Sequence, residues 1–203
     1  MPQNQDIYLQ EFLDSKAILK GHFILSSGLH SDTYLQCARV LMYGKRSQKL
    51  CLALATAIIQ KFGNNFADII VSPAMGGVIV GYELAKQLDI PAIFCERVDG
   101  KFQLRRGFEI DRNSRVLVVE DVITTGKSSL ETFECVHQLG GEIVGEACLV
   151  DRSGFDDVSQ KLGVPVVSLL KLEVQVFGHN NIPPHLQNIP AIKPGSRFLN
   201  KTS

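Results

Sequence analysis

Two adjacent carboxylates end an apolar run near the middle of the chain. Glu120 and Asp121 follow VLVV, residues 116–119, which is typical of a buried strand. Neighbouring residues of a strand point to opposite faces, so one structural purpose rarely requires both acids. Two hydrogen-bond acceptors at a strand end suit a ligand that carries vicinal hydroxyl groups.

The acids lead into a loop of small residues that precedes a predicted helix. This segment comprises Val122, Ile123, Thr124, Thr125, Gly126, Lys127 and Ser128. Gly126 can adopt a positive φ angle, and successive amides with nearby hydroxyls then form an anion site at the positive end of the helix dipole. Acids and loop together predict a ribose 5-phosphate site. A strand-end acid pair followed by an ordinary helix cap is the alternative, whereas a P-loop would need glycine where Asp121 stands.

Alternating strand and helix patterns position this segment at one edge of a sheet. Continuous apolar strands separated by helices indicate a parallel sheet that is covered on both faces, and ligands bind at the carboxyl ends of such strands. Near the N-terminus, residues 5–19 are compatible with a helix and residues 21–36 with a hairpin. We expect this helix and hairpin to occupy residues 1–44, a core 45–178, and an irregular proline-containing tail 179–203.

Composition and charge exclude several classes of protein. Lys and Arg number 21 and balance 21 Asp and Glu, so no overall field favours nucleic acid or an anionic membrane. No apolar run reaches the roughly 20 residues of a membrane span, and the N-terminus does not resemble a signal peptide. The 5 cysteines lack CxxC spacing, which disfavours zinc, disulfide and redox roles. We predict a cytoplasmic protein without nucleic-acid or membrane partners.

The string VLVVEDVITTG resembles the motif by which type I phosphoribosyltransferases bind 5-phosphoribosyl 1-pyrophosphate (PRPP). Over nearly the whole chain the resemblance extends to orotate phosphoribosyltransferases. GHFILSSGLHSDTYLQ is similar to that family's hood hairpin, SPAMGG to its pyrophosphate loop, ERVDGKFQLRRGFEI to its mobile catalytic loop, and LVDRSG to its orotate-binding segment. The implied fold is the α/β type I phosphoribosyltransferase fold, a parallel sheet flanked by helices with a small N-terminal hood.

The resemblance also implies an activity. Members of the family transfer phosphoribosyl from PRPP to orotate, which gives orotidine 5′-monophosphate and pyrophosphate in de novo pyrimidine biosynthesis. Mg²⁺ carried by PRPP would be the cofactor, and a homodimer with shared active sites the assembly. Two alternatives stay open: a salvage enzyme for a purine or uracil, and a regulator that senses ribose phosphates while binding DNA or RNA.

Site residues follow from matching positions of the motifs. The resemblance implies that residues 120–128, named above, bind PRPP. It implies catalytic roles for Arg97, Lys101, Glu120 and Asp121, and contacts to orotate from Thr124 and Arg152. For Arg97 and Lys101 the alternative is a solvated charged loop. For Arg152 the alternative is a surface ion pair with Asp151 or Asp156.

Four positions depart from the family pattern. Ser26, Gly76, Val98 and Gln103 stand where better-known members carry cationic or ionisable side chains. By the resemblance, these positions therefore lack positive charge that would bind pyrophosphate; two of them, Val98 and Gln103, lie in the mobile loop. Arg105 and Arg106 are the hypothesised replacements, because both lie later in the same loop.

Overall fold

The N-terminal part of the molecule is a helix followed by a β-hairpin. A computed structural model describes residues 5–25 and 27–194, so Ser26 lies outside the described residues. Helix α1 spans Gln5–Asp14, and strands β1 (Ile18–Ile24) and β2 (His30–Leu35) pair antiparallel. The predicted helix therefore ends earlier than residue 19, while the predicted hairpin is present.

Two further helices lead to the main sheet. They are α2 (Ala38–Leu41) and α3 (Gly44–Phe62). The second ends at Gly63, which has φ 83° and donates its amide to the carbonyl of Ile59 at 2.8 Å. Glycine suits this position because other residues resist positive φ angles.

The main sheet and its helices follow the predicted alternation. In chain order the elements are β3 (Ile69–Pro73), α4 (Gly76–Leu88), β4 (Ala92–Val98), β5 (Lys101–Leu104), β6 (Arg115–Ile123), α5 (Lys127–Gln138), β7 (Glu142–Asp151), α6 (Val158–Leu162) and β8 (Val166–Lys171). The strand order is β5-β4-β3-β6-β7-β8, and every neighbouring pair is parallel except β4 with β5. The sheet confirms the predicted α/β fold.

Alternate residues of β6 pack into two separate cores. Leu117 and Val119 belong to a core with residues of α3 and α4, whereas Val116 and Val118 belong to a core with residues of α5. All four side chains have 0% exposure. The central strand is thus covered on both faces, and this packing fixes the position of its carboxyl end at the edge of the sheet.

The C-terminal part is more regular than the sequence pattern predicts. Strand β9 (Val176–Phe177) pairs with β2, which completes a three-stranded hood sheet of order β1-β2-β9. A short helix α7 (Pro184–Gln187) follows, and Ile192 forms a bridge to Phe23 of β1. The described part of the predicted irregular tail, residues 179–194, thus contains one short helix and one bridge residue. The division at residues 44 and 178 stays a prediction. No helix in the described ranges is long and apolar enough to cross a membrane.

Candidate active site

A cleft of about 440 Å³ lies between the hood hairpin and the carboxyl end of the main sheet. Its polar and charged lining residues are Tyr34, Gln36, Glu120, Asp121, Thr124, Ser128, Arg152 and Lys193. Among the predicted site residues, the two acids, Thr124, Ser128 and Arg152 are thereby brought together. The other polar lining residues were not predicted from the sequence.

The two acids at the end of β6 project from opposite faces of the strand. Glu120 lies on the α5 side with Glu146, because Glu146 pairs with Val118 and Glu120 with Cys148 in the parallel ladder between β6 and β7. Asp121 lies on the α4 side, close to Gly76. Both still border the cleft, so two carboxyl groups can reach one ligand from two directions.

Burial controls the protonation of these acids. Glu120 is 7% exposed, and its burial, with the charges of Asp121 and Glu146, raises its pKa to about 9. Burial also raises the pKa of Asp121, although a hydrogen bond of 3.0 Å from the Val122 amide to Oδ1 favours the ionised form. Hydroxyl donors or developing positive charge on a ligand would favour the ionised form of both carboxyl groups.

The loop after β6 is shaped by a glycine. Gly126 has φ 75°, and a Cβ atom there would lie 2.8 Å from Cδ2 of Leu162. The amide of Lys127 donates to Thr125 Oγ1 at 3.4 Å as α5 begins. The chain thus turns directly from strand to helix, and the N-terminus of α5, a position that favours an anion, follows the strand end closely.

The predicted PRPP segment does not contribute all its side chains to the cleft. Glu120, Asp121, Val122, Thr124 and Ser128 line it. The side chain of Ile123 is 1% exposed and packs in the core instead. Thr125, Gly126 and Lys127 are not among the lining residues and can serve the site only through backbone groups or from its rim.

The SPAMGG loop approaches the acids from β3. Pro73, Ala74 and Gly76 line the cleft, and the peptide bond between Ala74 and Met75 is cis. A Cβ atom on Gly76 would lie 2.6 Å from Oδ1 of Asp121. Such a contact is too short for any side chain, so a cationic side chain has no room at position 76 while Asp121 keeps its position.

Arg152 lies at the end of β7, the neighbouring strand. Its amide donates to the carbonyl of Ile123 at 2.9 Å, which ties the two strand ends together. Burial lowers the pKa of its guanidinium. No ion pair with Asp151 or Asp156 is found among the described residues; Asp151 accepts from the Ser153 amide at 2.9 Å. The alternative interpretation of Arg152 as a surface ion pair is therefore not supported.

The predicted catalytic loop forms a hairpin whose arginines do not line the cleft. Arg97 is bonded to Glu131 and to the Gly100 carbonyl, and lies 4.3 Å from the ring centroid of Phe102. Of this hairpin, β4 and β5, only Phe102 lines the cleft, and neither Arg97 nor Lys101 does. Within one chain, the structure does not bring these two residues to the acids.

Tyr34 and Gln36 are the site residues that sequence reasoning could have found. They follow one another at a spacing of two in the hood hairpin, so both face the same side. Burial raises the pKa of the Tyr34 hydroxyl. Lys193, in contrast, reaches the cleft only because the chain returns to β1, and no local pattern signals that return.

The combination of this fold and this strand-end site defines a phosphoribosyltransferase. Residues 42–181 match the family model "Phosphoribosyl transferase domain". Orotate phosphoribosyltransferase of Sphingopyxis alaskensis is 50% identical over 194 residues, which cover 96% of this chain and 97% of that protein. The enzyme of Maricaulis maris is 46% identical over 195 residues, 96% of this chain and 98% of that one.

Solved structures give the same result. Orotate phosphoribosyltransferase from Aeropyrum pernix is 25% identical with a TM-score of 0.66, over 81% of this chain and 93% of that one. The Mycobacterium tuberculosis enzyme in complex with PRPP is 25% identical with a TM-score of 0.62, over 82% and 96% of the two chains. This chain belongs to the orotate phosphoribosyltransferase family.

Proposed function

We propose that the protein transfers the phosphoribosyl group of PRPP to orotate, which yields orotidine 5′-monophosphate and pyrophosphate in de novo pyrimidine biosynthesis. The observation that carries the proposal is that Arg152 shares one cleft with the two acids and the phosphate-type loop. The relatives that are about half identical over nearly the whole chain carry the name of this activity.

In this proposal the strand end holds the ribose 5-phosphate. Glu120 and Asp121 accept hydrogen bonds from the ribose hydroxyls, and Thr124, Ser128 and the amides of the loop hold the 5′-phosphate. As the bond from C1 to pyrophosphate breaks, the ribose gains cationic character. That charge favours ionised carboxylates beside it, so the acids stabilise the transition state more than the ground state.

The base end of the cleft contains Arg152 and Tyr34. A guanidinium can bond both oxygens of a planar carboxylate, and orotate carries such a group. Uracil and purines offer Arg152 no carboxylate, which favours orotate over the salvage alternative. Thr124 lines the same cleft and supplies a hydroxyl to either substrate.

The leaving pyrophosphate is assigned to the SPAMGG loop and to Mg²⁺. No group of three or more His, Cys, Asp or Glu side chains in residues 5–25 and 27–194 could hold a metal ion. Mg²⁺ usually keeps waters and binds substrate phosphates, so an ion delivered by the pyrophosphate fits this cleft. When bound, it neutralises charge on the leaving group.

A homodimer would explain where the cations of the β4–β5 hairpin act. Three apolar side chains form an exposed stripe on α4 and the loop before it: Met75, Ile79 and Tyr82, which are 83%, 47% and 69% exposed. Met42 and Tyr43 are exposed apolar side chains as well. Exposed apolar patches of this kind mark association surfaces, and this one borders the pyrophosphate loop. We assign Arg97 and Lys101 to the neighbouring subunit's site.

Complementation tests the shared site. Lys101→Ala and Asp121→Asn are each expected to be inactive, and random mixing should restore roughly one quarter of wild-type turnover, because half the dimers are mixed and each contains one intact site. Each variant mixed with itself is the control. No recovery in a mixed dimer verified by differential tagging would contradict a site shared between subunits.

The location proposed is the cytoplasm, without a nucleic-acid or membrane partner. All 5 cysteines are buried and free, as is usual in a reducing compartment. The equal numbers of acidic and basic residues supply no field for a polyanion.

A panel of bases tests the activity itself. The protein is mixed with PRPP and Mg²⁺, and pyrophosphate release is followed with orotate, uracil, adenine or hypoxanthine. Release with orotate alone, abolished by a chelator, is the expected result. Release with uracil or a purine would support the salvage alternative, and binding of PRPP without turnover of any base would support a sensor.

A further inference from the structure

The C-terminal segment is attached to the open edge of the hood sheet. The amide of Ile192 donates to the carbonyl of His22 at 2.8 Å, and the amide of Ile24 donates to the carbonyl of Ile192 at 2.8 Å. These two bonds form a parallel bridge opposite Phe23. The backbone directly before Lys193 is therefore held in place by β1, which is an edge strand.

Side chains anchor the same segment a few residues earlier. The Nδ1 atom of His22 lies 2.8 Å from the carbonyl oxygen of Ile189. Because a carbonyl can only accept, His22 must carry its proton on Nδ1. Its Nε2 atom lies 2.6 Å from Nδ1 of His30, and His30 Nε2 lies 3.2 Å from Nδ1 of His179. Neutral rings can satisfy all three bonds in one direction, from His179 through His30 to His22.

Apolar burial completes the attachment. Leu186 of α7 is 2% exposed although the segment around it lies on the surface. Backbone bonds, the histidine chain and this leucine fix residues 186–192 at separate points. Lys193 is thus presented to the cleft by an ordered strap, defined here as residues 186–194, rather than by a loose terminus.

The cleft requires positive charge that the strap can supply. Among the described residues that line it, the acidic side chains are Glu120 and Asp121, and the basic ones are Arg152 and Lys193. PRPP and orotate together bring a phosphate, a pyrophosphate and a carboxylate. Arg97 and Arg106 of the hairpin do not line this cleft; Arg97 pairs with Glu131, and Arg106 with Glu96 at 2.8 Å.

We propose that Lys193 is a substrate-binding residue, which the C-terminal strap contributes to the cleft to bind an anionic group of the substrates. This inference rests on the proposed function for the identity of the substrates. The anionic group is either the pyrophosphate of PRPP or the carboxylate of orotate, and both are chemically suited to an ammonium donor.

The test compares three variants of the full-length protein. Lys193→Ala removes the charge, Lys193→Arg keeps it, and Lys86→Ala removes an exposed lysine of α4 that pairs with Glu83 at 3.4 Å, outside the cleft. Dissociation constants for PRPP and for orotate are measured by calorimetry, and both KM values by pyrophosphate release. Melting curves confirm that each variant is folded.

Lys193→Ala is expected to weaken the binding of one substrate about fivefold to tenfold. This is the usual effect of losing a charge-assisted hydrogen bond at a partly exposed site. Lys193→Arg and Lys86→Ala should stay within about twofold of wild type. Weaker binding of PRPP identifies the pyrophosphate as the partner of Lys193, and weaker binding of orotate identifies the carboxylate. If Lys193→Ala binds both substrates as Lys86→Ala does, the inference is wrong.

Failure of the proposed function gives a different result. A wild-type protein that binds PRPP but does not turn over orotate would overturn the activity, and the dissociation constant for PRPP would still decide the role of Lys193.

Discussion

The segment Glu120–Ser128 and the β4–β5 hairpin both carry predicted catalytic residues, yet the molecule holds them in different ways. The first segment ends a strand that lies between β3 and β7, and its acids are fixed by buried backbone on both sides. In the hairpin, Arg97 and Arg106 are held by side-chain ion pairs with Glu131 and Glu96. One region is built into the core, and the other is attached to the surface.

This difference matches two chemical tasks. Stabilising charge at the ribose requires groups that do not reorganise during the reaction, and a buried strand end provides them. Binding a pyrophosphate that must later dissociate requires groups that can move. Exposed ion pairs contribute only about 0.2–1 kcal/mol each, so exchanging Glu131 or Glu96 for a phosphate costs the hairpin arginines little.

Asp121→Asn should produce the largest effect. We expect kcat to fall by about two to three orders of magnitude, because the carboxylate faces the cation-like ribose and an amide cannot supply negative charge. Folding should be retained, since the side chain of Asp121 is bonded to its own neighbour, the Val122 amide, at 3.0 Å. Turnover is measured by pyrophosphate release, and the melting temperature reports the fold.

Asp111→Asn is the matched control, because Asp111 is exposed in the turn before β6. It should leave kcat unchanged. If Asp121→Asn keeps wild-type turnover, Asp121 has no catalytic role and the contrast between the two regions loses its basis.

Arg152 tests the base end of the built-in region. Arg152→Ala should raise the KM for orotate about thirtyfold, and Arg152→Lys about tenfold, because lysine keeps the charge but loses the bidentate geometry. The KM for PRPP should change less than threefold in both variants. Steady-state kinetics with each substrate varied in turn measures the split. Equal increases for both substrates would indicate a general disturbance of the cleft rather than contact with orotate.

The sequence predicts the built-in region better than the C-terminal strap, for a physical reason. VLVVED fixes its own strand and the faces of Glu120 and Asp121 by local alternation, so that segment could be placed without knowing the rest of the fold. The position of Lys193 depends on the bridge between Ile192 and Phe23, a contact between distant parts of the chain. No local pattern encodes such a contact.

The hairpin illustrates an intermediate case. KFQL, residues 101–104, lies in the segment that resembles the mobile catalytic loop, and it forms β5 with Phe102 buried and Lys101 exposed. The alternation was present but covers only 4 residues, too few to distinguish a strand from a loop. The directions of Arg97 and Arg106 then follow from partners on α5 and β4 that the sequence alone does not identify.

Glu146 tests how strongly burial in the core below the acid pair raises the pKa of a carboxyl group. Its side chain is 0% exposed, one oxygen accepts from Ser129 Oγ at 2.7 Å, and burial raises its pKa to about 8. In the unfolded chain the group ionises near pH 4.5. Between these two values the unfolded state releases a proton that the folded state keeps, so the stability contributed by neutral Glu146 falls as the pH rises.

Glu146→Gln removes this dependence. The free energy of unfolding of the wild type minus that of Glu146→Gln should therefore decrease by about 3–4 kcal/mol between pH 5 and pH 8, as measured by urea titration at each pH. Glu134→Gln, on the exposed side of α5, should show no such trend. A difference that stays constant with pH would mean that Glu146 is ionised in the folded protein.

The smallest effects are expected in the attached region. Arg106 donates two hydrogen bonds to Glu96, at 3.0 and 2.8 Å, and lies 5.6 Å from the ring centroid of Phe94. Arg106→Ala should therefore lower kcat/KM by less than about threefold, since the side chain mainly stabilises the hairpin through Glu96. Arg105 has no such hydrogen-bonded pair among the described residues and is the better candidate for replacing the missing loop cations, so Arg105→Ala should lower kcat/KM about fivefold.

Kinetics of the two single variants and the double variant decide between these roles. If both arginines grip pyrophosphate, the two losses multiply and the KM for PRPP rises in each. If Arg106 only stabilises the hairpin by binding Glu96, Arg106→Ala should lower the melting temperature with little change in the KM for PRPP. Two variants that both stay within about twofold of wild type would remove Arg105 and Arg106 from catalysis. The proposed cations for the leaving group would then be Arg97 and Lys101 of the hairpin and Lys193 of the strap.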